Sequence, residues 1–429
     1  MQKTDSLYQR YLAILNEELI SATGCTEPIS IALAAAKAKE VLGETPDRIV
    51  IAVSEYMMKN AKSVVVPNTD NLKGIKVAVS AGIIVGQSVK QLDVIAAVSK
   101  AECAEIKRYL KATDITLKTL NSEYVLDVQI TVYHQNESAK VRIINHHTNI
   151  VLIEKNADTI LAKDYVEDDP VADDAKTALT VKDIVDFADS VEIDDVKVLL
   201  DNLIKNNSAL AEMGLSESFG ANIGSVLMNA YGDSVHTRAK AKAAAASDAR
   251  MSGCKMPVTI VSGSGNQGIT ASLPIIEYAK EWSVSKERLY RALVLSNLIT
   301  IHQKTGVGKL SAYCGVVFAG AGSGAGITYL SGGGYEAIAH TIVNTLAIIS
   351  GMICDGAKPS CAAKIASSVE AGILAHHMVI AGEEFLGGDG IIVKGIENTI
   401  RNVSRLAKEG MRITDQEIIK MMTENDTSK

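Results

Sequence analysis

The hydrophobic period of this chain changes near residue 48 and again near residue 160, and that double switch limits the fold more than any other feature. Residues 6–20 carry apolar positions at helical spacing. After the turn SATGCTEP, an alanine-rich segment predicts a helix from about 29 to 42, with Pro28 at its start, where a missing N–H costs nothing. Then RIVIAVSEYM, KSVVVPN, YVLDVQITVYH, AKVRIINHH and NIVLIEK bring β-branched, partly alternating runs that read as strands. GIKVAVSAGIIVG and the helix-like DVIAAVSKAECAEIKRYLKA lie among them. From about 180 helical patterns return, as in VKDIVDFADS, ERLYRALVLSNLITIHQK and CAAKIASSVEAGILAHHMVI, punctuated by short glycine-rich segments.

This order predicts an α+β chain, a large mostly helical domain with an inserted smaller strand-containing α/β domain. The expected divisions are 1–45, an N-terminal helical segment packing on the catalytic domain; 46–165, the α/β domain; and 175–429, a helical catalytic domain. The acidic stretch DYVEDDPVADDAK, residues 164–176, reads as a linker or exposed loop. A chain of 429 residues can fill two or three domains, but aromatics make up only 4%. The cores must therefore be built from Ala, Val, Ile and Leu, with helices packed closely through small residues.

The formal net charge of −7, without a Lys/Arg run, argues against nucleic acid as the main partner. The first twenty residues lack the apolar centre and cleavage site of a signal peptide. The apolar run AIAHTIVNTLAIISGMI, residues 337–353, is interrupted by His340, Asn344 and Thr345 and reads as a buried helix rather than a membrane span. A cytoplasmic protein with reduced thiols is expected, acting on a small molecule as a homo-oligomer, a dimer, with no membrane partner. Its six cysteines are then free, metal-bound or reactive.

Cys103 and Cys254 read as structural thiols. Cys314 opens the glycine-rich CGVVFAGAGSGAGITYLSGGG; Cys354 and Cys361 lie in GMICDGAKPSC. On an unbroken helix, residues seven apart lie about 10 Å apart along the axis. Gly356 and Pro359 break any helix here, so the loop can fold back and bring sulfurs together. Three such thiols suit an iron–sulfur cluster with one open iron, or zinc, or three small core residues. Cys25, just before a helix start, is either a thiolate favoured by the helix dipole or a turn residue.

VTIVSGSGNQGIT contains Gly263, Gly265 and Gly268, a literal GxGxxG. A dinucleotide-dependent oxidoreductase would rest on this match, but Pro274 falls where the helix should be established and no strand with a terminal acid follows. The smaller reading is an anion site, for a carboxylate, at Ser262, Gly263, Ser264, Gly265, Asn266 and Gln267, beside the bland one of a tight turn. His302, Lys304 and Lys309 lie near glycines just before Cys314. His146–His147 and His376–His377 have no metal-motif context and read as surface or satisfied core histidines.

Taken together, SATGCTEPISIALAAAKA, SGSGNQGITASLPI, CGVVFAGAGSGAG and GMICDGAKPSCAAKIASS resemble the iron–sulfur-dependent serine dehydratase alpha-subunit-like proteins, and most closely their L-cysteine desulfidase branch. The resemblance runs over nearly the whole chain. It implies a [4Fe-4S] cluster held by Cys314, Cys354 and Cys361, with a fourth iron open to substrate. It also implies α,β-elimination from an L-amino acid to pyruvate and ammonia, with sulfide lost in the desulfidase branch. Serine-using members carry an S-H-T motif where this chain reads Gly24-Cys25-Thr26, which makes Cys25 the candidate base and favours cysteine over serine as substrate. A non-catalytic amino-acid-binding protein of the same fold is a further alternative.

Overall fold

The computed structural model describes residues 1–23, 26–163, 176–307 and 311–424. Its strands are β1 (Ser21–Thr23), β2 (Arg48–Ser54), β3 (Asp114–Leu120), β4 (Asp127–His134), β5 (Glu137–Ile144), β6 (Ile150–Lys155), β7 (Asp158–Ala162) and β8 (Pro257–Thr259). Six of them form one mixed sheet in the order β3-β2-β4-β5-β6-β7, in which β2 and β3 are parallel and the other neighbours antiparallel. Period-two alternation sets the register: Ile51 faces Ile130 and Ile130 faces Val141, all buried on one side.

Helices α1 (Ser6–Glu18), α2 (Thr26–Leu42), α3 (Glu55–Ala61), α4 (Ile75–Val85) and α5 (Lys100–Ala112) belong to the N-terminal part, the last three forming the crossover between parallel β2 and β3. Helix α2 touches β4, β5 and α4. Residues of α1 join the helical core while those of α2 join the sheet core, so the segment expected to pack as one unit on the helical part divides between two cores.

KSVVVPN does not form a strand. Val65 makes a single bridge to Lys73, because Pro67 and the left-handed Asn68, Asp70 and Asn71 turn the chain at once. GIKVAVSAGIIVG is α4, and β3 and β7 carry no signal strong enough to have been read. Of the acidic stretch, 164–175 lies outside the described residues.

The helical part comprises α6 (Val181–Ser190), α7 (Ile193–Ser216), α8 (Ile223–Tyr231), α9 (Val235–Met251), α10 (Gly265–Glu281), α11 (Lys286–Thr305), α12 (Val316–Leu330), α13 (Tyr335–Ile348), α14 (Cys361–Ile380), α15 (Ile396–Arg405) and α16 (Arg412–Glu424). Helix α12 is buried along its whole length and touches α10, α11, α13 and α14. Its glycines therefore do not punctuate helices; they build the central one. A Cβ at Gly320 would lie 2.4 Å from the Ser368 carbonyl oxygen, and one at Gly324 2.6 Å from that of Gly372, so α12 and α14 meet backbone to backbone. No described helix is long and apolar enough to cross a membrane.

Strand β8 pairs antiparallel with β1 and takes no part in the six-stranded sheet, so the GxGxxG match has no parallel β-α-β unit around it and the dinucleotide alternative falls. Pro274 does not stop the helix, since α10 runs straight through it.

Candidate active site

Two thiols are brought together by backbone pairing. Tyr313 and Ile353 form an isolated antiparallel bridge; the Cys314 N–H donates to Met352 O at 2.8 Å and the Cys354 N–H to Ala312 O at 2.6 Å. The side chains of Cys314 and Cys354 then lie in hydrogen-bond contact. That contact pushes the Cys314 thiol up, with burial adding to it, and pulls Cys354 down, with the Lys59 charge assisting.

Cys361 opens α14 after a loop that Gly356 makes possible. Gly356 has φ +95°, and a Cβ there would come within 2.3 Å of the Lys59 carbonyl oxygen. Asp355 pairs with Lys358 and, at 2.6 Å, with Lys364, whose ammonium also reaches Ile353 O at 2.7 Å. Burial pushes the Cys361 thiol up, and the charge of Cys354 adds to it, so the third sulfur lies within the electrostatic reach of the pair. Among the described residues, no three His, Cys, Asp or Glu side chains are yet arranged as a metal-holding group. The donor chemistry nevertheless fits an iron–sulfur group: two thiols in contact and a third nearby, ringed by cations that offset sulfur charge.

Those cations come from both halves of the molecule. Lys59 of α3 has a side chain only 2% exposed and pairs with Asp415 of α16. Lys304, in the last turn of α11, is pushed down to about 8 by burial, with Lys59 adding to it and the two sulfurs Cys354 and Cys314 opposing. Of the lysines flagged from sequence, Lys304 is thus beside the thiols and Lys358 is tied to Asp355, while Lys309 lies outside the described residues.

Cys25 also lies outside the described residues, but its flanks are placed. Thr23 pairs with Pro257, and the Glu27 carboxylate accepts from the Tyr56 hydroxyl at 3.3 Å. Burial pushes the Tyr56 hydroxyl up, with Glu27 and then Cys354 contributing, so Tyr56 and Glu27 lie on the side of the thiol pair. His147 is not a satisfied histidine: among the described residues its buried Nε2 has no partner, and burial pushes its pKa down, with Glu27 opposing. His376 is likewise buried with Nε2 unpartnered, though its Nδ1 meets Thr328 at 2.9 Å.

The SGSGNQG turn lies against the thiols. Ser262 (φ +48°) and Gly263 (φ +72°) are both left-handed, and Val261 and Ser264 bond to each other across them, the geometry of a two-residue I′ turn. Ser264 caps α10 by accepting from the Gln267 N–H at 3.4 Å. Ser262, Gly263 and Ser264 remain partly open, whereas Gly265, Asn266 and Gln267 are buried. The Gln267 carboxamide lies against Gly315, where a Cβ would meet its Oε1 at 2.8 Å, next to Cys314. Among the described residues its Oε1 has no hydrogen-bond partner.

Residues 89–420 match the family described as Serine dehydratase alpha chain. The chain belongs to the serine dehydratase alpha chain family. It is 58% identical over 422 residues to a UPF0597 protein of Desulfitobacterium hafniense (strain Y51), covering 98% of each chain. It is 49% identical over 416 residues to a UPF0597 protein of Lachnoclostridium phytofermentans, covering 97% of this chain and all of that one, and 44% identical over 428 residues to one from Treponema denticola, covering 98% and 99%. The serine dehydratase alpha chain family is iron–sulfur dependent in general, and membership points to amino-acid dehydratase-like lyase chemistry. The matched span contains the turn at 262–267 and the cysteines 314, 354 and 361, and begins after Cys25.

Reading the sequence missed Lys59, Tyr56 and Glu27 as neighbours of the site. Lys59 sits in SEYMMKN, which carries no motif, and only the tertiary pairing of α3 with α16 brings it to Cys354.

Proposed function

We propose that this protein is an L-cysteine desulfidase, converting L-cysteine and water to pyruvate, ammonia and sulfide by α,β-elimination. The observation that carries the reading is the Tyr313–Ile353 bridge, which sets Cys314 against Cys354 with Cys361 at the next helix start. Those three residues would hold a [4Fe-4S] cluster, which when bound supplies a Lewis-acidic iron to a leaving sulfur.

The chain's own residues do the rest. The buried start of α10, residues 265–267, receives the amino and carboxyl end of the substrate beside Cys314. Cys25, as thiolate, takes the α-proton. Lys304, Lys59 and Lys364 offset the negative charge that develops around the sulfurs. The β-carbon–sulfur bond breaks with its electron pair going to sulfur; the aminoacrylate released becomes an imine, and water hydrolyses it. Cysteine is preferred over serine because Cys25 stands where serine-using relatives carry histidine. The family description favours the second reading, an L-serine dehydratase losing water instead of sulfide.

Anaerobically reconstituted protein tests both. The desulfidase reading expects pyruvate and sulfide in equal amounts from L-cysteine; pyruvate from L-serine with none from L-cysteine overturns it in favour of the dehydratase. Cys25→Ala is expected to abolish turnover while leaving the visible absorbance intact, and a Cys25→Ala variant that keeps most activity removes the base assignment.

A further inference from the structure

Arg250 lies in the last turn of α9, and its side chain is folded inward, only 8% of the residue being exposed. A buried guanidinium carries five N–H donors and a charge that is costly to leave unbalanced in a protein interior. Here Nη1 donates to Asn266 Oδ1 at 3.3 Å, and among the described residues Nε has no partner and no carboxylate pairs with the guanidinium. The acid nearest in sequence, Asp248, is turned away, its Oδ2 accepting from the Ile223 N–H at 2.7 Å at the start of α8.

The unused donor and an unused acceptor lie on the same helix start. Arg250 Nε would be 2.4 Å from a Cβ at Gly265, so only glycine admits the guanidinium to the first turn of α10. Two residues on, Gln267 is 4% exposed and its Oε1 is the orphan acceptor. Between them Asn266 is fixed by Ser247 Oγ at 3.3 Å and by Met251 Sδ at 3.8 Å. Both ends of this group reach the thiols: Gln267 abuts Gly315 beside Cys314, and Met251 shares a small apolar cluster with Cys361. A cation with free N–H groups and an acceptor with a free lone pair are complementary to a carboxylate and an ammonium borne on one carbon.

We propose that Arg250 and Gln267 form the subsite that reads the α-carboxylate and α-ammonium of a small zwitterionic amino acid, Arg250 being the counter-ion of the carboxylate and Asn266 its positioning residue. This deepens the reading of the site as an amino-acid lyase and rests on it for the class of substrate. The subsite replaces a purely backbone anion site at the turn: the Gln267 N–H is already taken by Ser264, and the charge comes from the side chain of a different helix.

The test is calorimetric titration of the anaerobically loaded protein with L-alanine, which has both groups but nothing to eliminate, and with ethylamine, which lacks the carboxylate. Wild type is expected to bind L-alanine and not ethylamine. Arg250→Gln is expected to weaken L-alanine at least about tenfold, the loss of a charge-assisted hydrogen bond, and Arg250→Lys to recover part of it. Gln267→Glu, which leaves Arg250 in place and sets a carboxylate beside the subsite, is expected to weaken L-alanine as well. L-Alanine binding equal to wild type in Arg250→Gln and Gln267→Glu, absence of L-alanine binding by wild type, or equal binding of ethylamine overturns the assignment. The two readings fail separately. Arg250-dependent binding of L-alanine without pyruvate from L-cysteine or L-serine keeps the subsite and removes the lyase, whereas turnover of L-cysteine with unchanged KM in Arg250→Gln does the reverse.

Discussion

In the sheet, Ile51, Val128, Ile130 and Val141 fill the space between strands and α2 with branched side chains; in the helical part, Gly320 and Gly324 leave that space to the backbone of α14, Gly322 to the Thr300 hydroxyl and Ser296 carbonyl, and Gly326 to the Ile275 side chain. One core is held by the atoms it contains, the other by the atoms it lacks. The site draws on both: thiols, Arg250 and Gln267 from the tightly packed helical side, Lys59, Tyr56 and Glu27 from the sheet side. The comparison teaches that the first core is damaged by deletion and the second by addition.

The sharpest break would come in the sheet. Ile130→Ala removes a fully buried side chain between β2 and β5 and is expected to cost about 2–5 kcal/mol in urea unfolding. A loss below about 1 kcal/mol would mean the sheet core collapses to fill the gap. Where the two halves are tied by charge, Lys59→Ala leaves Asp415 without its buried partner and is expected to cost about 3 kcal/mol, toward the lower end for broken buried pairs because Asp415 is partly open to solvent. The same substitution removes a cation that pulls Cys354 toward thiolate, so iron retention by the loaded protein should fall with it.

In the helical core the effect reverses. Gly320→Ala raises helix propensity by about 1 kcal/mol, yet its Cβ meets the Ser368 carbonyl at 2.4 Å. Overpacking is expected to win, with a net loss of about 1–3 kcal/mol. A stabilised Gly320→Ala would end the claim that α12 and α14 pack at backbone contact.

The smallest expected effect is a pH dependence. Burial, with His377 adding, pushes His376 down to about 4. Because that lies below the ordinary value of 6.5, the unfolded chain takes up a proton between those two pH values that the folded chain refuses. Stability contributed by neutral His376 is present above pH 6.5 and is lost as the pH falls toward 4. Replacing it in His376→Asn should flatten the decline in urea midpoint over that window; an unchanged slope would mean His376 does not titrate differently in the two states.

The same contrast governs what could be read from the residues alone. The alternating runs of β4, β5 and β6 declare strands because each side chain reports which face it occupies. The glycines of α12 recur every second residue, which mimics neither helix nor strand, and their meaning appears only when Ser368 and Gly372 of another helix are in place. The cysteines were legible as a group because a glycine-and-proline loop allows what a helix forbids. Lys59, Tyr56 and Arg250 were not legible, since each is an ordinary helical residue until α3 and α9 pack beside the thiols. KSVVVPN misled because β-branched residues favour strands only where neighbours supply a ladder, and Pro67 removes a donor just where one would begin.

The central claim is that the sulfurs of Cys314, Cys354 and Cys361 together hold an iron–sulfur group. Iron content and visible absorbance after anaerobic reconstitution, measured on wild type and on each of Cys314→Ala, Cys354→Ala and Cys361→Ala, test it most directly. The account predicts a brown wild type with about four irons per chain and loss of colour in each variant. A colourless wild type holding stoichiometric zinc, or a variant that keeps its full iron and colour, would contradict it.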